Sequence, residues 1–272
     1  MTLSAPWRTV GHIVLLVLCL SVLIPMAVAL GTAFKPANEV FAIQPWPDHP
    51  TLDNFFRLFD KAPFHLYIWN SVGTTALRVG GQLVIAVLCA YAFARFQFRG
   101  REVLFAIVLG AMMIPHTLTM IPIYIMVARL DWFDTWQALI VPNLAMPFGV
   151  FLLRQHFKAF PRELFDAAEI DGAGHWRALW MVVLPNLKPV LAALSIILFI
   201  DCWNEYFWPL LVTESPESRT IQIGIREFIE TDFSDYGALM AGVTLASLPA
   251  LAIFFFFQRQ VMDTFVASGI KG

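Results

Sequence analysis

Residues 158–188 read KAFPRELFDAAEIDGAGHWRALWMVVLPNLK. Pro161 suits the first turn of a helix, where its missing N–H costs nothing. Glu163 beside it favours the same N-terminus electrostatically. Leu164, Ala167, Ala168 and Asp171 recur at i, i+3, i+4 and i+7, which puts them on one face of that helix. The two alanines give the face little bulk, so a partner can approach closely. Gly172 stands where a helix ends with positive φ, and Ala173 follows it. A second amphipathic stretch, residues 175–183, then runs up to Leu184-Pro185. The pattern predicts a helix, a glycine bend and a second helix.

Outward from this polar elbow the chain turns apolar in both directions. Blocks at residues 138–157 and 189–211 flank it, and further blocks lie at 10–32, 68–93, 103–127 and 236–257. A bilayer crossing takes about 20 apolar residues, so the expectation is an all-α membrane protein with six transmembrane helices. Composition agrees. Of 272 residues, 58% are hydrophobic and 14% charged, with mean hydropathy +0.68, whereas soluble domains run near about 45–50% and 25%. The net charge of −2 offers no basic face for nucleic acid. Cys19, Cys89 and Cys202 are odd in number and sit inside apolar blocks, which builds neither a disulfide framework nor a zinc site. Ala27-Val28-Ala29 looks like a signal-peptidase site, but the apolar run before it exceeds the roughly 7–15 residues of a signal core. Residues 10–32 therefore read as a retained first helix. Residues 33–66, with five prolines, form a polar outer loop that cannot be one long helix. Placing the N-terminus inside gathers Arg8, Arg95, Arg99, Arg101, Arg154, Lys158, Arg162, Arg177, Lys188, Arg259 and Lys271 in the cytoplasm, as the positive-inside rule requires. An even number of spans returns the C-terminus to the same side.

Arg78, Asp201, Asn204 and Glu205 lie within or at the ends of the apolar spans. Ionisable groups at such depth face a bundle interior or a water-filled cavity. Two uses fit them. Asn204, Glu205 and Trp208 can line the outer part of a solute path, where an aromatic ring beside hydroxyl-binding groups suits a sugar. Alternatively, Glu205 and Asp201 are structural, paired with Arg78 or with another chain. Pro115, Pro122, Pro142 and Pro147 interrupt the third and fourth spans; such breaks shape a cavity wall or simply curve a helix. His116, Thr117, Thr119 and Asn143 stand near them. No nucleophile–base set and no metal-ligand spacing emerges, so no catalytic residue is assigned.

Asp166-Ala167-Ala168, Gly172 beyond them, and Val182-Val183-Leu184-Pro185 ten residues later resemble the EAA loop of ABC-importer permeases. Asp166 stands for the usual Glu and Val182 for the usual Ile. Trp203-Asn204-Glu205-Tyr206-Phe207-Trp208-Pro209-Leu210, Phe151-Leu152-Leu153-Arg154-Gln155, Met113-Ile114-Pro115 and the tail Gly269-Ile270-Lys271-Gly272 are similar to the carbohydrate-uptake permeases of the maltose-transporter type, a group that includes glycerol-3-phosphate permeases.

The resemblance implies a half-permease of the type I importer fold. Residues 1–66 would hold the first helix and outer loop, 67–260 the permease core, and 261–272 a cytoplasmic tail. Its partners would be a homologous second permease, an ATPase dimer that binds ATP and Mg, an external solute-binding protein and the lipid bilayer of a bacterial cytoplasmic membrane. This chain itself would bind no cofactor, and it contains no G-x-x-x-x-G-K-[ST] phosphate loop. Glu163, Leu164, Asp166, Ala167, Ala168, Asp171, Gly172, Ala173, Leu184 and Pro185 would form the ATPase-coupling elbow, and Gly269, Lys271 and Gly272 would touch the ATPase. Asn143, Asn204, Glu205, Trp208 and Pro115 remain candidates for the solute path. Arg78 is the only base inside a span, which tilts the expectation toward a neutral sugar over glycerol-3-phosphate. An ion-coupled transporter using Asp201 and Glu205 is the reading of another class, and it has no need of an elbow at 158–188.

Overall fold

A computed structural model of the chain describes residues 5–170, 172–231 and 235–269, all helical or irregular with no strand among them. The helices are α1 (Ala5–Ala33), α2 (Asp53–Lys61), α3 (Phe64–Arg95), α4 (Arg101–Met112), α5 (His116–Arg129), α6 (Trp136–Ile140), α7 (Pro147–Ala159), α8 (Arg162–Ile170), α9 (His175–Ala178), α10 (Leu184–Asn186), α11 (Lys188–Trp203), α12 (Phe207–Val212), α13 (Ile221–Thr231) and α14 (Tyr236–Gly269). A π-helical turn, Leu179–Val183, joins α9 to α10. Three helices are long and apolar enough to cross a membrane, and three bent pairs bring the number to six if each pair is one span.

The bends fall where proline or a lost helical register dictates. Between α4 and α5 the axis turns by 99°, and Pro115 supplies the extended residue just before α5. The segment Trp136–Asn143 meets α7 at 45°, and His175–Asn186 meets α11 at 81°. The fifth apolar block is thereby shorter than its sequence suggests. It stops at Trp203, breaks over residues 204–206 and resumes as α12. The last helix is longer: α14 runs past the end expected near Phe257 to Gly269, because nothing after Pro249 interrupts it before that glycine. Two helices stand where loops were expected, α2 in the outer loop and α13 in the acidic stretch before α14.

The chain divides into two compact units, one of Met1–His65 with Ile223–Pro249 and one of Leu66–Gln222 with Ala250–Gly272. In the first, the apolar window of α1 buries none of its side chains within the chain. Its C-terminal end is fastened, however. The amide Nδ2 of buried Asn54 reaches the carbonyl oxygens of Thr32 (3.3 Å), Ala33 (2.9 Å) and Lys35 (2.8 Å), at and just beyond the helix end, where the last carbonyls lack intrahelical partners. Asn54 Oδ1 accepts from Arg57. Arg57 and Lys61 both pair with Asp235, at 3.1 and 2.9 Å. Gly237 lies so close that a Cβ there would stand 2.3 Å from Asn54 Oδ1; only glycine permits this approach.

In the second unit the core joins α3, α7, α8, the π turn and α11 through Ala86, Ala90, Tyr91, Leu153, Phe157, Phe165, Leu179, Val183, Leu194 and Leu198. Gly149 allows α7 to close on this packing, since a Cβ there would meet Ala86 at 3.2 Å and Leu194 at 3.5 Å. Burial of each leucine, valine or phenylalanine side chain contributes roughly 1.5–3 kcal/mol in water, and packing contacts take over that role in lipid. Arg154, buried on α7, sends Nη2 to both carboxylate oxygens of Glu102 at 3.0 Å, and its guanidinium lies 3.7 Å from the Phe105 ring centre. α4 is thereby pinned to α7. A smaller core gathers Val127, Ala138, Leu139, Trp208 and Val212.

Candidate functional site

The α4–α5 bend and the segment between α6 and α7 open a cavity of about 590 Å³ in the second unit. Its polar lining comes from α3 (Arg78, Gln82), from the bent segments (His116, Thr119, Asn143) and from the end of α11 and the break after it (Asp201, Glu205). Arg78 Nη1 pairs with Glu205 Oε2, so the structural pairing foreseen for Glu205 is realised while both residues still face the cavity. Gln82 Nε2 donates to the Asn143 carbonyl at 2.7 Å, and Asn143 Nδ2 donates to the Leu139 carbonyl at 3.3 Å. His116 Nε2 lies 3.4 Å from Asn143 Oδ1. Gln82 Oε1 and Arg78 Nε are buried without a hydrogen-bond partner among the described residues, and such groups seek one. The lining carries one cation, Arg78, and two carboxylates, Asp201 and Glu205. Amides, a hydroxyl and a neutralised ion pair can exchange hydrogen bonds with a hydroxyl-rich solute.

The expected path residues divide. Asn143 and Glu205 line the cavity. Pro115 makes the bend beside the lining residues Ile114 and His116 without lining it. Asn204 is exposed and turns its Nδ2 back to the Ile200 carbonyl at 2.9 Å. Trp208 requires correction: it is 1% exposed, packs in the smaller core, and its indole N–H donates to the Ala138 carbonyl at 2.9 Å. The chain break after Trp203 turns it inward, so it is a packing residue. Gln82 was missed, although a glutamine in the apolar run of the second span is a legible signal.

The elbow has the expected form. α8 ends at Ile170, Gly172 adopts φ +75°, and the Ala173 N–H returns to the Ala168 carbonyl at 2.9 Å. One position of the expected face, Ala168, is turned inward. Phe165 and Ala168, three residues apart, are buried at 5% and 7%. Phe165 packs against Tyr91 and Phe160, and the Arg95 guanidinium lies 4.2 Å from its ring centre. Ala168 thus belongs to the inward face and is removed from the partner-facing set; an aromatic at 165 outweighs alanine in choosing which side packs. Glu163, Leu164 and Ile170 are exposed, as are Trp176 and Met181 beyond the glycine. Leu184 is buried and Pro185 exposed. Asp171, Lys271 and Gly272 lie outside the described residues, as do the side chains of Asp166 and Ala167; Gly269 is the last residue of α14.

The chain matches the family of binding-protein-dependent transport system inner membrane components over residues 82–263, and it belongs to that family. It is 32% identical over 254 residues to the arabinooligosaccharides transport system permease protein AraQ of Halalkalibacterium halodurans, covering 91% of each chain. It is 33% identical over 216 residues to the lactose transport system permease protein LacG of Rhizobium radiobacter, covering 79% of each. With the sn-glycerol-3-phosphate transport system permease protein UgpE of Yersinia enterocolitica it shares 32% over 267 residues, 94% of this chain and 95% of the relative. Its fold is that of a chain in the crystal structure of a bacterial ABC transporter involved in the import of the acidic polysaccharide alginate, with TM-score 0.84 and 21% identity over 95% of this chain and 99% of that one.

Proposed function

We propose that this chain is one permease subunit of an ATP-driven importer and forms half of the path for a neutral carbohydrate. The observation that carries this reading is the cavity: amides at Gln82 and Asn143 beside an arginine already neutralised by Glu205. Family membership supports transport, and relatives named for arabinooligosaccharides and lactose support a sugar. The relative named for glycerol-3-phosphate keeps a second reading in play. Against that reading, an anion entering the cavity would meet two carboxylates and one paired cation. In the assembled importer, six spans place both termini in the cytoplasm. The exposed face of α8 and the residues after Gly172 dock on a separate ATPase dimer, a homologous permease completes the cavity, and an external binding protein delivers the solute. ATP-driven closure of the ATPase moves the elbow and turns the cavity outward.

The test is reconstitution with the cognate partner permease, ATPase and binding protein. ATP-dependent uptake of a labelled neutral oligosaccharide, unaffected by excess sn-glycerol-3-phosphate, is the expected result. Uptake of the phosphate ester alone would replace the sugar reading. Accumulation by this chain alone under an ion gradient would overturn the importer reading altogether.

A further inference from the structure

Beside the elbow lies a second pocket, of about 400 Å³, lined by Tyr91, Arg95, Gln97, Arg101, Lys158 and Phe165 among others. We propose that it binds the phosphate headgroup of an anionic phospholipid. Its three cations come from the ends of three candidate spans. α3 ends at Arg95, α4 begins at Arg101, and Lys158 is next to last in α7. A pocket where three spans end lies at the membrane boundary, the depth of lipid headgroups, and basic pockets between spans recognise anionic ones. Among the described residues no carboxylate lines it; the adjacent Glu102 pairs with Arg101 and Arg154.

Two of the cations are held in place before any ligand arrives. Arg95 is stacked over Phe165 at 4.2 Å, and Arg101 Nη1 donates to the Phe96 carbonyl at 3.2 Å. Lys158 is exposed, and its flexible stem can close on a phosphate. Charge-assisted bonds from such groups to phosphate oxygens are short and strong. The apolar part of the ligand also has a bed. Val103, Leu104 and Ile107 of α4, directly beyond Arg101, are 48–66% exposed, and acyl chains can lie along them. Phe96 and Phe98, 39% and 42% exposed, add apolar surface at the same helix ends. That apolar bed favours a lipid over a soluble phosphate.

The experiment uses the intact transporter complex in nanodiscs of mixed phosphatidylcholine and phosphatidylglycerol, with retained lipid counted by native mass spectrometry. Phosphatidylglycerol should be enriched on the complex. Lys158→Gln should reduce the enrichment about fivefold, the factor that roughly 1 kcal/mol per surface cation yields. Lys158→Arg should preserve it, which also controls for folding, and Arg99→Gln, which removes an equal charge outside the pocket, should leave it unchanged. Equal retention of both lipids, an equal fall in the Arg99 variant, undiminished enrichment in Lys158→Gln, or displacement of the lipid by inorganic phosphate would each overturn the proposal.

Discussion

Arg78 is 6% exposed, and its charge is tolerable at that depth because Glu205 answers it. Removing one partner strands the other, at a cost of about 3–5 kcal/mol, whereas replacing both with apolar groups of similar size is far milder. Arg78→Met and Glu205→Leu are therefore each expected to lower the thermal midpoint of the purified complex more than the double variant does; equal or additive losses would contradict the pairing. Asp134 is a second residue with a definite task. It adopts φ 59°, and its Oδ1 accepts from the backbone N–H of Glu214 (2.7 Å) and Ser215 (2.8 Å) and from the Ser218 hydroxyl. Burial alone would raise its carboxyl, but these hydrogen bonds more than offset that and hold it below the ordinary carboxylate range. A lowered folded-state value means its stabilisation is present above the unfolded value of about 3.9 and is lost as pH falls through the lower folded one. Asp134→Ala should cost about 2 kcal/mol at neutral pH, and the difference from the parent in thermal unfolding should shrink under strong acid. Trp208 carries the lesson of this scale: its aromatic neighbourhood was legible in the sequence, but the direction it faces was decided by the break at residues 204–206.

The elbow at residues 158–188 was legible because its signals are local: a proline at the helix start, a glycine at its end, and periodicity between them. Which face packs was not, since that depends on Tyr91 and Arg95, far away in sequence, meeting Phe165. α13 escaped notice for a related reason. Its acidic residues read as a loop, while Ile221, Ile225 and Phe228 keep an i, i+4, i+7 stripe. At Gly172 a Cβ would meet nothing within 4 Å, so its φ of +75° alone is the constraint. A β-branched residue in left-handed backbone is strained by roughly 1–2 kcal/mol, and asparagine tolerates it better. Gly172→Val should abolish solute-stimulated ATP hydrolysis in the reconstituted complex while the chain still inserts, and Gly172→Asn should keep most of it. Equal activity in both variants would dissociate the glycine bend from coupling.

For the whole molecule, composition and block length disclosed the membrane class and the number of apolar runs, but not that half of the runs are jointed. Length and hydropathy see only the apolar run; the bends arise from prolines and from packing between distant segments. The two cores are likewise long-range products, with Ala86 meeting Gly149 and Trp208 meeting Ala138. At the far end of the chain, α14 continues to Gly269. Removal of residues 269–272 should weaken retention of the ATPase during purification; undiminished retention would remove the tail from the contact. The 81° turn between His175–Asn186 and α11 has a mechanical meaning. The elbow is continuous through that turn with a rod of 16 residues, about 24 Å long at 1.5 Å per residue, whose far end carries Asp201 and adjoins Glu205. Under the proposed coupling to an ATPase this shape would act as a bell crank: a sideways push of a few ångströms on the short arm would become a swing of the long one and reach the cavity wall as rotation.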